Sequence, residues 1–209
     1  MVYRKCPTNV TFQEFLQFVV QSVKLGQTLD RHYAPIVSMC LPCQVNAKYL
    51  VKQETFAADT VSVLEDIGVE QNKLEVITSA LHENRIENTI PGIVKTAYGR
   101  LRKIMNGSKM AETIWKSFQI QGYIPDAVDL PEPRFQSEDD YKNCKYFIDV
   151  VMETIKTHKM TSEKSKRQRQ KVLVNAYRNI DRSLLDHLKE IYEIDITMFG
   201  YKELPPDEY

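Results

Sequence analysis

Phe12, Phe15, Leu16, Val19, Val20 and Val23 recur at intervals of three and four, which places them on one stripe of a helix. Thr11 and Glu14 stand at capping-box spacing and Val10 is placed to staple onto Phe15, so the helix has a defined start. Gly26 ends it. The same spacing returns in Tyr141, Cys144, Phe147, Ile148, Val151 and Ile155, and again in Leu184, Leu185, Leu188, Ile191 and Tyr192 from about Ser183 onward. A chain so patterned folds mainly as helices that each bury one face.

Between these stripes the reading is more broken. Residues 29–44 are loop-like, with Pro35 and Pro42 blocking a helix. Lys48 to Glu54 is expected as a short strand running into Thr55, the N-cap of a helix over 56–67, with Gly68 in the left-handed position after it. From Glu70 onward Leu74, Ile77 and Leu81 make one stripe, and Pro91-Gly92 is expected to break the chain. A basic helix with Ile93, Ala97, Leu101 and Ile104 follows, then an Asn106-Gly107 turn and a short helix carrying Ile114, Trp115 and Phe118.

An apolar share of 43% in 209 residues excludes wholesale disorder and supports one domain. Twenty-eight cations balance 28 acids, so the chain is not basic throughout. The balance hides an uneven distribution. Residues 125–140 hold three Pro and six acids against one Arg, net −5, and read as an exposed linker. Residues 156–171 hold seven Lys or Arg against Glu163, net +6, which draws a polyanion such as a glycosaminoglycan or a nucleotide phosphate. Nucleic acid suits this run poorly, because no aromatic residues interleave with its charges. Only seven Gly argue against a glycine-rich nucleotide loop, and no apolar run is long enough to cross a bilayer.

Cys6, Cys40, Cys43 and Cys144 are the cysteines. Cys40-Leu41-Pro42-Cys43 reads as a disulfide pair or plain thiols, a redox pair or half a zinc site, though no second CxxC or His pair completes a metal set. Cys144, on an apolar helix face, reads as a buried thiol. Asn9-Val10-Thr11 and Asn106-Gly107-Ser108 are N-glycosylation sequons. His82, His158 and His187 lie in polar surroundings and read as solvated, whereas His32 sits in a loop beside Asp30 and is a candidate general base.

The order of these motifs is more specific than any one of them. Residues 9–16 (NVTFQEFL), 30–35 (DRHYAP), 40–45 (CLPCQV), 49–55 (YLVKQET) and 191–201 (IYEIDITMFGY) together resemble the carbohydrate sulfotransferases of the chondroitin/dermatan 4-O type. That family shows a "vtFeeFl" helix, a D-x-H-W-x-P loop, a C-x-P-C step, a Y-D-F-I-G-K-x-E-T strand leading into a helix, and a closing "iY-x-x-D-F-x-x-F-G-Y". Tyr33 stands here where Trp is usual, and Gln53 interrupts the Gly-Lys-x-Glu-Thr run. The blocks cover about residues 9–69 and 161–201. The stretch at 70–160 carries no family motif, and about 70–140 of it is expected as a helical insert with the acidic linker.

The resemblance implies a Golgi-lumen enzyme that moves a sulfuryl group from 3′-phosphoadenosine-5′-phosphosulfate (PAPS) to a sugar hydroxyl of an acidic polysaccharide such as chondroitin or dermatan. It implies an α/β domain of the P-loop-like type, of which residues 1–209 are a mainly helical C-terminal portion with one or two short strands. His32 becomes the base, and Lys159, Lys164, Lys166 and Arg167 become the groups that meet cofactor phosphate or acidic glycan. The family's phosphate-binding Lys loop and its R-D-P-x-x-R element precede the "vtFeeFl" helix and have no counterpart in these 209 residues, so this chain alone is not expected to bind PAPS. A membrane anchor would likewise belong to a preceding segment. The alternative expectation is a non-catalytic family member, or a helical module, that binds acidic glycans through residues 156–171.

Overall fold

A computed structural model describes residues 10–40, 42–82 and 86–202. Its helices in chain order are α1 (Phe12–Lys24), α2 (Ile36–Cys40), α3 (Phe56–Asp66), α4 (Gln71–His82) and α5 (Ile86–Leu101). They continue with α6 (Gly107–Ile120), α7 (Glu138–Lys142), α8 (Cys144–Thr157), α9 (Ser162–Tyr177) and α10 (Arg182–Met198). The chain divides into two compact units, one of Met1–His82 with Val174–Tyr209 and one of Glu83–Leu173.

The first unit is built on α1 and α10. Thr11 caps α1 through the expected capping box with Glu14, and Gly26 follows at φ +66°. Leu16 and Val20 of α1 bury against Leu184, with Phe15, Ile180, Leu188 and Ile191 packed around them. Val10 is 58% exposed and forms no buried staple. Asp181 caps α10 by accepting the Ser183 N–H at 2.8 Å. His187, expected in solvent, is half-buried between the Ser183 carbonyl (2.6 Å) and the Lys24 ammonium (3.1 Å).

The second unit holds the larger core. Met110, Ala111, Ile114, Trp115 and Phe118 of α6 meet Ile90, Val94 and Tyr98 of α5 and Phe147, Val150, Val151 and Ile155 of α8. Burial of an aliphatic side chain contributes about 1.5–3 kcal/mol. These stripes therefore fix the helices more firmly than propensity does.

Four expectations are corrected. The loop-like reading of 29–44 misses α2. Pro35 directly precedes this helix, where its missing N–H costs nothing, and its carbonyl accepts the Ser38 N–H at 3.1 Å. No strand forms among the described residues. The segment at 48–54 is irregular up to a 3₁₀ turn at Gln53–Thr55, because the Lys52 N–H goes to the Asp59 carboxylate (3.0 Å) rather than to a neighbouring strand. Pro91 lies inside α5 instead of breaking it. Full burial of Ile90 and Val94 offsets the roughly 3 kcal/mol that an interior proline costs.

Residues 125–140 are the fourth correction, since they are no free linker. Phe135 is buried and stacks on Tyr141 at 4.5 Å, the Trp115 indole donates to the Val128 carbonyl at 2.9 Å, and the Tyr146 hydroxyl donates to the Arg134 carbonyl at 2.8 Å. Gln119 adds amide donors to the carbonyls of Asp126 (3.2 Å) and Val128 (3.0 Å). Asp126, Asp129, Glu132 and Asp139 are exposed, whereas Glu138 accepts the Gly107 N–H at 2.6 Å and Asp140 accepts the Ser137 N–H at 2.9 Å, so the segment is held to the core. Helix α6 is also longer than the short element expected around Trp115, with Asn106 as its N-cap.

Candidate functional site

In the first unit the site is the 30–37 loop. The Asp30 carboxylate accepts the His32 backbone N–H at 2.9 Å and stands 2.5 Å from His32 Nδ1. The Asp30 carbonyl accepts the N–H groups of Tyr33 (3.0 Å) and Ala34 (2.9 Å), which closes the turn. Because the His32 backbone N–H and then its ring donate to it, Asp30 is held below the ordinary carboxylate range. With Nδ1–H committed to Asp30, Nε2 is the nitrogen that can take a proton. The ring is 75% exposed and so open to a large substrate.

Tertiary contacts hold this loop on both sides. Tyr33 packs edge-on against Phe15 (5.3 Å) and Phe18 (6.5 Å) of α1. The Tyr192 hydroxyl of α10 donates to the Tyr33 carbonyl, and buried Asp195 accepts the N–H groups of Ile36 (2.6 Å) and Val37 (3.0 Å). Asp195 and Tyr192 belong to the closing 191–201 block, which the sequence singled out as a motif without a role for either residue. Their role is to set the His32 loop.

The Lys52–Phe56 step is the place in this unit where a lysine runs into a helix N-terminus. Three of its donors, the Lys52 N–H, the Lys52 ammonium and the Thr55 hydroxyl, are already engaged. Asp59 accepts both the Lys52 N–H and the Thr55 hydroxyl (2.5 Å), and these two bonds, the hydroxyl first, hold Asp59 low. Lys52 Nζ turns instead to the Gly200 carbonyl (3.3 Å) and lies 5.2 Å from the centre of the Tyr201 ring. A phosphate at the start of α3 would meet the Asp59 carboxylate, so this step does not fit a phosphate of PAPS. Among the described residues no group of three His, Cys, Asp or Glu side chains gathers as a metal site.

The basic candidates lie in the second unit. Lys159 precedes α9, and Lys164, Lys166 and Arg167 are on it, all exposed. Lys159, Lys164 and Arg167 line one cleft and Lys166 does not. The structure thus brings three of the four basic candidates together and places His32 in the other unit. Asn106 is exposed at the start of α6, while Asn9 lies outside the described residues. Cys40 is an exposed free thiol; its expected pairing with Cys43 falls on a side chain outside the described residues. Cys144 is half-buried and free, and burial pushes its thiol pKa up.

A family model described as the sulfotransferase family matches residues 3–114. No curated protein and no solved structure matches the chain. The matched span includes the 30–37 loop and the Lys52–Asp59 step, and the basic segment lies C-terminal to it.

Proposed function

Since the chain belongs to the sulfotransferase family, we propose that its first unit serves the acceptor side of sulfuryl transfer, with His32 as the base for a sugar hydroxyl. The observation that carries this is the Asp30–His32 pair inside the matched span. Nε2 takes the hydroxyl proton as the oxygen becomes nucleophilic, and Asp30 stabilises the imidazolium that results. Tyr192 and Asp195 keep the loop in place while this happens.

The family uses PAPS as sulfuryl donor. The Lys52–Phe56 step does not cradle a phosphate, so donor binding is not assigned to these residues. The finer resemblance to the chondroitin/dermatan type supports an acidic polysaccharide acceptor. In its support, the family-like blocks at 30–35, 49–55 and 191–201 meet through Tyr33–Tyr192 and Lys52–Gly200 in one unit. The same resemblance, with the exposed sequon at Asn106, supports a place in the Golgi lumen. No helix among the described residues is long and apolar enough to cross a membrane.

Transfer of labelled sulfate from PAPS to chondroitin tests the reading. His32→Ala should lower kcat by about 10²–10⁴-fold. Undiminished transfer in that variant would remove His32 from the reaction. For the 209-residue chain alone, calorimetry should show no saturable PAPS heat.

A further inference from the structure

The seven cations of residues 156–171 are not equivalent. Lys164, Arg167 and Lys171 fall at i, i+3 and i+7 on one face of α9, and with Lys159 they line an open cleft of about 550 Å³. Gln168, on the same face, pins that face down. Its amide N–H₂ donates to the carbonyls of Gln119 (2.5 Å) and Ile124 (2.8 Å), and its oxygen accepts the Asp126 N–H at 2.9 Å. Ser165 adds a bond to the Gly122 carbonyl at 2.8 Å. These bonds fix the stretch of α9 that carries Lys164, Arg167 and Lys171 before any ligand arrives, which lowers the ordering cost of binding.

Charge in the cleft is only partly answered. Lys171 pairs with Asp126 at 3.2 Å, and Arg167 pairs with Glu163 at 2.5 Å on its own helix. Lys159 and Lys164 have no ion-pair partner among the described residues. Four cations against one lining acid leave a net positive concavity, where converging field lines raise local anion concentration.

We propose that this cleft of the second unit binds a sulfate-bearing stretch of an acidic polysaccharide. The cations from Lys164 to Lys171 extend along about 10 Å of helix. That row suits anions repeated along a chain better than one compact phosphate. Pro125, Val128 and Met160 supply apolar surface for the face of a sugar ring, and beside the His158 imidazole no Phe, Tyr or Trp lines the cleft to stack on a nucleobase. The choice of polysaccharide rests on the acceptor reading above. The binding site itself does not, since it lies C-terminal to the family match.

Binding of a chondroitin sulfate hexasaccharide to the full chain, followed by calorimetry at two salt concentrations, tests it. Lys159→Ala with Lys164→Ala should weaken binding at least about tenfold and flatten the salt dependence. Lys145→Ala with Lys156→Ala removes the same charge from α8, outside the cleft, and should change affinity by less than about twofold. Both pairs are exposed, so helix content by circular dichroism should not move. Equal loss in the two double variants would reduce the site to general charge attraction and overturn the proposal. So would displacement of the hexasaccharide by adenosine 3′,5′-bisphosphate, which would make the cleft a nucleotide phosphate site, or equal affinity for a short DNA duplex. Because the assay reads binding alone, its failure beside intact sulfate transfer would sink only this cleft. The reverse result would sink only the acceptor reading.

Discussion

Asp195 accepts the backbone N–H of Ile36 at 2.6 Å, joining residues 159 positions apart. The neighbouring Val37 N–H goes to its other oxygen at 3.0 Å. A five-residue helix has little stability of its own, and two of its first four N–H groups are met here by one buried carboxylate. The end of the chain therefore holds the loop that carries His32.

Asp195→Ala leaves both donors without that partner. It should destabilise the first unit by about 2–3 kcal/mol, with Asp195→Asn losing roughly half as much because the amide keeps one acceptor. Amide hydrogen exchange at Ile36 and Val37 should speed up in both variants, more in Asp195→Ala. Protection of those two amides at the native level would show that α2 stands without Asp195.

Asp30 sits below its ordinary value of 3.8, because it accepts the His32 N–H and then the His32 ring. A carboxylate depressed on folding contributes stability that is complete above its unfolded value and is lost as pH falls through its folded one. The loop anchor should accordingly persist through mildly acidic solution and fail only below pH 3.8. A carbon-13 titration of the Asp30 carboxyl should give a midpoint below that value, and a midpoint at or above it would contradict the bonding described. Asp30→Asn should lower kcat with little change in acceptor KM, because Asp30 positions His32 and does not touch the acceptor. It should also shift the pH–rate profile, which a loss of loop stability alone would not do.

Asn106 caps α6 by accepting the Lys109 N–H at 2.9 Å through Oδ1, and it lies exposed in a glycosylation sequon. Attachment of a glycan at the amide nitrogen leaves that oxygen as an acceptor. Expression in a secretory-pathway host should give a mass increment at Asn106 that peptide-N-glycosidase removes. Ser108→Ala should abolish the increment and keep the cap, whereas Asn106→Ala should abolish it and cost about 1 kcal/mol as well. A product from that host lacking the increment would place the sequon outside glycosylating machinery.

Local signals made α1, α8 and α10 legible, since each carries its stripe and the cap of α1 within a few residues of one another. The Asp30–His32 pair was legible for the same reason, being two positions apart. What escaped depends on partners remote in sequence. Helix α2 needs Asp195, the extended segment near Lys52 is drawn away from strand pairing by Asp59, and Pro91 is tolerated because Ile90 and Val94 are buried. The charges of 125–140 concealed Phe135, a single aromatic that fastens the segment to the core. The +6 run was plain in the sequence, but which cations share a cleft is decided by Gln168 and its bonds to residues 119–126.

Gly122 is the closest approach in that arrangement. It follows α6 at φ +72°, and a Cβ there would lie 2.5 Å from Ser165 Oγ, 2.9 Å from the Ser165 carbonyl oxygen and 3.3 Å from Ser165 Cα. Gly122→Ala therefore combines a left-handed backbone penalty of about 1–2 kcal/mol with overpacking of about 1–3 kcal/mol. The sum should be roughly 2–5 kcal/mol for the second unit, read by the fluorescence of Trp115, the chain's single tryptophan, during chemical denaturation. Adding Ser165→Ala removes the nearest atom but not the carbonyl oxygen or Cα, so rescue should be partial. Full rescue would show that the hydroxyl alone sets the contact. A loss below about 1 kcal/mol in Gly122→Ala would show that α9 is not seated on this turn as described. In that case the same variant should leave hexasaccharide affinity unchanged. If α9 is seated there, affinity should fall as the row of cations shifts out of the cleft.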